Sequence, residues 1–274
     1  MSVIAISETA GSFGIEIGRT VAAKLGYEFA DREIITKAAD RFGEMPTELV
    51  HATEEKPTLW DRLQESQTRY MAYVRAIIFE MAAADNVVLV GRGAAIVLAD
   101  FANVVRVRVT APEGVRGRRI QDSHGLTPEA ATDYVRRSDR ERGARLRFLH
   151  HVDWEDPLRY DLLLNTDRLS VPRGAQTIAE VAREERFQTT GQARRALVDA
   201  SLAAQARAAL LKNPLTRSRQ IFVSCRDATV SLTGGVEMPP EREAAEAEVM
   251  RIPGVQHVIN DIVAVGMARR GGVV

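Results

Sequence analysis

Cysteine is almost missing from this chain. Among 274 residues there is one, Cys225, which excludes an intrachain disulfide framework and any multi-cysteine metal site. Within "IFVSCRD" it reads as a small buried hydrophobe. Net charge is missing as well: 37 Lys and Arg offset 37 Asp and Glu, so no overall field favours DNA, RNA or an anionic bilayer. Aromatic residues make up 5% of the chain, without the aromatic-basic interleaving of a single-strand nucleic-acid platform. No apolar run approaches the roughly 20 residues a membrane helix needs; "NVVLVG" and "VVRVRV" are among the longest. The amino terminus lacks the basic, apolar, small-residue order of a secretory signal, and a cytoplasmic location is the expectation. No HExxH spacing, Gly-x-Ser-x-Gly elbow or Cys/His pairing occurs, so neither a dedicated metal site nor covalent catalysis is expected.

What is present is an alternation of strand and helix patterns in a chain that is 45% hydrophobic and 27% charged. "VIAIS" is a β-branched run, and Ile15, Ile17, Val21, Ala22 and Leu25 follow at roughly helical spacing up to Gly26. "YEF" offers a short extended piece before a second helix that Gly43 closes. A long helix is expected over 58–84, its apolar stripe including Tyr70, Val74, Ile77 and Met81; it can bury that stripe within the domain or against a twin subunit. The Val-rich strands "NVVLVG" and "VVRVRVT" suit a parallel sheet covered on both faces. Pro112 opens a helix through Arg119, and Thr127 followed by "PEAA" marks the start of another reaching about His151. "YDLLLNT" is a fifth strand and "GAQTIAEVAREERF" a further helix. Five strands with helices between them predict a doubly wound α/β sheet, with the first strand near its centre. After a plausible linker, "QTTGQ", an Ala-rich helix, two strands joined by "RDA", a helix from "PPERE" and the strand "VQHVINDIVAV" make a small α+β module.

The stretch "SETAGSFGIEIG" joins the first strand to the first helix. Such turns hold phosphate because successive backbone N–H groups point into a concavity at a helix start. The usual pattern, GxxxxGK[ST], fails here at every diagnostic position. Gly11, Ser12 and Gly14 survive in the strand-to-helix context, so both a phosphate site and a structural turn remain open. Asp31 and Arg92 each lie just beyond a predicted strand, where α/β sheets bind ligands; helix capping is the rival role for Asp31, and a surface ion pair the rival for Arg92. Arg136, Arg140 and Arg147 recur at roughly helical intervals, as either a solvated helix face or mobile cations for phosphoryl transfer.

Four ordered stretches, "ISETAGSFGIEIGRTVAAKLGYEFADREII", "VVLVGRGAAIVL", "VRVRVTAPEGVRGRRI" and "SDRERGARLRFLHHVDWEDPLRYDLLLNTDRLSV", resemble the cytidylate-kinase-like family, a branch of the P-loop nucleoside monophosphate kinases, over 1–187. The resemblance implies a P-loop kinase-type doubly wound parallel sheet of about five strands with flanking helices. It also implies transfer of the ATP γ-phosphoryl to CMP or a related monophosphate with Mg2+. Gly11, Ser12 and Gly14 then match the phosphate loop. Asp31, Arg92, Arg116 and Arg119 match acceptor-side positions, and Arg136, Arg140 and Arg147 fall in the lid-like region. Many relatives read "GSGG" followed by arginine at the loop; this chain reads "GSFG" followed by Ile15, and Glu8 adds a negative charge nearby. The stretch "VSLTGGVEMPPEREAAEAEVMRIPGVQHVINDIVAV" resembles a BON domain, placing that module with its linker at 188–274 and implying self-association or a protein partner. Two functions stand: a nucleoside monophosphate kinase, and a non-catalytic nucleotide sensor or structural protein that interacts through the BON-like module.

Overall fold

A computed structural model describes residues 2–44 and 60–267. The expected helix start at Thr58 and the last residues of the tail lie outside them. The chain runs β1 (Val3–Glu8), α1 (Gly14–Leu25), β2 (Glu28–Ala30), α2 (Glu33–Phe42), α3 (Trp60–Ala84), β3 (Val87–Val90), α4 (Ala94–Val97), β4 (Val104–Thr110), α5 (Glu113–His124), α6 (Pro128–His150), β5 (Leu162–Asn165) and α7 (Val171–Ala182). It continues through α8 (Gly191–Lys212), β6 (Gln220–Arg226), β7 (Thr229–Val236), α9 (Pro239–Met250) and β8 (His257–Ala264).

The first five strands form one parallel sheet in the order β2-β3-β1-β4-β5, with β1 at the centre. Alternation along β1 and β3 explains their continuous apolar sequence. Val3, Ala5, Val87 and Leu89 face one layer, where Ile34, Tyr73, Ile77 and Leu98 close the core. Ile4, Ile6, Val88 and Val90 face the other, against Ile17 and Val21 of α1 and Ile178 of α7. Burial on both faces fixes the register, because a one-residue slip would exchange the two layers. The stripe of α3 that could have met a twin subunit is buried inside the chain, with Tyr70, Val74, Ile77 and Met81 at most 5% exposed.

What covers α3 is in large part α8. Leu197, Ala204 and Ala208 belong to the same core as Tyr73 and Ile77, while Ala206 and Leu210 belong to the core of the small sheet. Small alanine side chains let one helix pack closely on two sides. The helix read from sequence as the start of the C-terminal module therefore also completes the first layer.

The small sheet has the order β6-β7-β8, antiparallel then parallel. The "RDA" turn between β6 and β7 places Asp227 (φ 48°) and Ala228 (φ 58°) in left-handed geometry, as a tight two-residue hairpin requires. The Asp199 carboxylate from α8 accepts hydrogen bonds from both of their amides, at 2.9 and 3.0 Å, tying the hairpin to the shared helix. Among the described residues no helix is long and apolar enough to cross a membrane.

Candidate functional site

The central strand ends in the turn Thr9 to Phe13, which the neighbouring strand and α5 hold in place. The Thr9 amide donates to Val109 O, and its hydroxyl donates to Thr110 Oγ1 at 3.1 Å. Gly11 has φ +75°, and a Cβ there would stand 2.8 Å from the Arg116 carbonyl oxygen, so both conformation and space demand glycine. Phe13 also adopts left-handed geometry (φ 63°, ψ 24°), as the residue preceding α1. An aromatic L-residue is held there at a cost of roughly 1 kcal/mol, and the Arg119 guanidinium stacks over its ring at 4.1 Å.

Arg116 and Arg119, expected on the acceptor side, are turned towards this loop. Arg116 is 6% exposed. It donates to Ala111 O at 2.8 Å and Ala10 O at 3.4 Å, and makes a two-point pair with the Asp139 carboxylate at 3.1 and 2.7 Å. Arg119 donates to Gly11 O, Thr166 Oγ1 and Thr166 O at 3.1, 2.9 and 2.6 Å. Their geometry is that of a scaffold for the turn. The Ser12 side chain is fully buried, and its hydroxyl has no hydrogen-bond partner among the described residues.

A cleft of about 740 Å3 opens at the carboxyl ends of β1, β2 and β3, beneath α6. Asp31 and Arg92 both line it. Arg92 (φ 52°) stands between Gly91 and Gly93, each at φ 75°, a run of left-handed residues that ends β3 sharply. Strain of this kind on a non-glycine residue clusters at ligand sites. Burial raises the Asp31 carboxyl above its usual range, with the charges of Arg92 and Arg32 acting against it. The capping role for Asp31 is not realised: α2 has no side-chain cap, and the Asp31 amide instead donates to the Glu33 carboxylate at 2.9 Å.

The lid-like helix α6 presents Arg137, Arg142 and Arg145 to the cleft, together with Tyr134, Leu146 and Leu149. It does not bring Arg136, Arg140 and Arg147 there. All three are exposed, and Arg136 pairs at the surface with Glu113 at 2.8 Å. Both sets obey helical spacing, and spacing alone does not choose the face. The few apolar residues of the helix do: Arg142 and Arg145 lie four residues before Leu146 and Leu149, and Arg137 three after Tyr134. His150 also lines the cleft, its Nε2 buried without a partner among the described residues. Burial, Arg75 and His151 hold its pKa below the usual value.

Gly11, Ser12 and Gly14 shape the turn, but the cleft wall beside it is Glu8 and Ile15. A Cβ on Gly14 would lie 2.5 Å from Glu8 Oε2, so the carboxyl group presses against the first residue of α1. Arg142 donates to the Glu8 carbonyl oxygen at 2.8 Å and stands 3.9 Å from Oε1. Burial pushes the Glu8 carboxyl up to about 7, against the opposing pull of Arg142. An acid whose pKa is raised on folding binds its proton more tightly when folded. Stability attributable to Glu8 therefore grows as pH falls through 7 towards the ordinary 4.5. Between pH 8 and 5.5 this contribution is about 2 kcal/mol. Urea unfolding of the wild type and Glu8→Gln at both pH values measures it, and identical pH slopes would contradict it.

The model of the cytidylate kinase-like family matches residues 3–168. The chain belongs to the cytidylate kinase-like family. The BON domain model matches residues 198–266. A cytidylate kinase of Natronomonas pharaonis is 33% identical over 181 residues, covering 66% of this chain and 88% of that protein. A cytidylate kinase of Pyrobaculum calidifontis is 28% identical over 172 residues, covering 62% and 87%. The crystal structure of an uncharacterized protein from Eubacterium ventriosum aligns with a TM-score of 0.53 at 17% identity, covering 68% of this chain and all (100%) of that one; it shares the fold.

The kinases of this family imply ATP and Mg2+, and the start of α1 does not directly fit a donor phosphate. A charged Glu8 carboxylate against Gly14 opposes a donor phosphate at the start of α1. No group of three or more His, Cys, Asp or Glu side chains among the described residues is placed to hold a metal ion on its own; Mg2+ in nucleotide sites is held largely by substrate phosphates and water.

Proposed function

We propose that this cytidylate-kinase-like chain binds a nucleoside monophosphate, CMP or a close relative, in the cleft beneath α6. The observation that carries the reading is the convergence of Arg92 and Asp31 in one concave site at the strand ends, where open α/β sheets bind ligands. Arg92 supplies the fork of donors suited to a phosphate. Asp31 supplies an acceptor for the amino or hydroxyl groups of the nucleoside. Arg137, Arg142 and Arg145 take the role that the sequence reading gave to Arg136, Arg140 and Arg147, surrounding the bound phosphate with positive charge and excluding water. The rings of Tyr70, Tyr134 and Trp154 give the cleft apolar surface for a base. Arg116 and Arg119 keep the loop in shape.

Phosphoryl transfer from ATP with Mg2+ is the activity that family membership favours. The non-catalytic sensor reading is favoured by one observation, the carboxyl of Glu8 packed on Gly14 behind a left-handed Phe13. The 188–274 module is proposed as the interaction unit, for self-association or a protein partner, and the cytoplasm as the location.

The two readings part on turnover. The protein is incubated with ATP, Mg2+ and a panel of monophosphates, and ADP is followed. The kinase reading expects CMP-dependent ADP formation that Arg92→Ala abolishes. Saturable CMP binding without ADP formation selects the sensor. Binding of no monophosphate at all overturns the cleft assignment.

A further inference from the structure

The start of α1 is where a phosphate loop of this fold offers its backbone N–H groups and the positive end of the helix dipole. In this chain another anion stands there. Glu8 ends β1, its side chain is 13% exposed, and its Oε2 lies where a Cβ on Gly14 would reach within 2.5 Å. The Ile15 amide partly stabilises its charge. Only glycine at position 14 leaves room for this packing.

The surroundings are those of a group poised between two states. From α6, Arg142 holds the Glu8 main-chain oxygen at 2.8 Å and opposes the carboxylate from 3.9 Å. Asp31, beyond β2, and Glu16, on α1, face it with like charge. One cation thus works against burial and two carboxylates, and the proton on Glu8 is held near neutral pH. Glu8 also forms part of the cleft wall with Ile15 and Asp31, so a ligand anion entering there meets it directly.

We propose that Glu8 is an internal anion of the phosphate loop, occupying the start of α1 in place of a donor phosphate and yielding it when the carboxyl is protonated or displaced. The inference rests on reading Gly11 to Gly14 as a phosphate loop. It makes the loop self-occluded rather than worn away. The backbone frame of a phosphate site is retained, and one carboxylate keeps it filled. Anion binding at α1 is then linked to proton uptake by Glu8, and the attraction of Arg142 to its carboxylate from 3.9 Å is lost with it, while the bond to the Glu8 main-chain oxygen stays.

The test is calorimetric titration of the full-length chain with ATP, with and without Mg2+, at pH 6 and pH 8, for the wild type and Glu8→Gln. ATP's own protonation is common to both proteins, so the ratio of their affinities is the readout. Glu8→Gln is expected to bind ATP about tenfold more tightly than the wild type at pH 8, with the gap closing at pH 6. Glu8→Ala, checked for native far-UV circular dichroism, should show the same closing gap. An unchanged affinity ratio across pH, or weaker ATP binding by Glu8→Gln at pH 8, overturns the proposal. Weakening confined to the Mg2+ arm also overturns it, because Glu8 would then be supporting the metal. A wild type that binds no CMP, while Glu8→Gln still gains ATP affinity, would sink the cleft assignment and support the internal anion.

Discussion

Replacing Arg116 by methionine is expected to destabilise the five-stranded unit by about 3 kcal/mol. The guanidinium is buried, and its loss strands three groups: the Asp139 carboxylate and the carbonyls of Ala10 and Ala111. Removing one partner of a buried pair costs far more than removing both, because the remaining charge keeps its desolvation penalty. Arg116→Met combined with Asp139→Leu should therefore recover at least half of the loss. Both tryptophans of the chain, Trp60 and Trp154, lie in the part matched by the kinase-like model, so urea denaturation followed by fluorescence reports on that unit. A shift below about 1 kcal/mol, the level of an exposed ion pair, would return Arg116 to the pool of candidate phosphate ligands.

The second large effect belongs to Arg92. Its side chain lines the cleft, with Asp31 as its opposing charge, and glycines on both sides fix the turn that presents it. Arg92→Ala is expected to weaken CMP binding about a hundredfold, the loss typical of deleting one partner of a hydrogen-bonded charge pair. Arg92→Lys keeps the charge but not the planar fork, and should recover only part of that affinity. Neither change removes a buried contact of the core, so fold stability should move by less than about 1 kcal/mol.

The inner strands were legible because they are buried on both faces and so read as continuous apolar runs, "VIAI" and "VVLV" above all. Thr127 was legible as a helix start, and its hydroxyl accepts from the Ala130 amide at 3.3 Å. The helix read as "GAQTIAEVAREERF" begins earlier, at Val171, because Ser170 caps it and Pro172 fits its first turn. The placement of Asp31 and Arg92 at the cleft was legible because a position just past a strand specifies a place in the fold.

The rest depended on partners distant in the chain. Arg116 and Arg119 bind carbonyls more than 40 residues away, and nothing local to "RGRR" announces that. The inward face of α6 was obscured because arginines lie on both sides, leaving only scattered apolar residues to mark it. Glu8 could be seen as a charge near the loop, but its contact with Gly14 follows from the curl of the turn, which brings residue 14 back against the strand end. The double burial of α8 was hidden by alanine, which marks no preferred face.

Calorimetric titration of the full-length protein with CMP tests the central claim most directly, comparing wild type, Arg92→Ala and Arg136→Ala. The cleft assignment predicts saturable one-to-one binding by the wild type and about a hundredfold loss in Arg92→Ala. It predicts little change in Arg136→Ala, whose side chain faces solvent beside Glu113. Absence of saturable binding, or equal losses in the two variants, would contradict it.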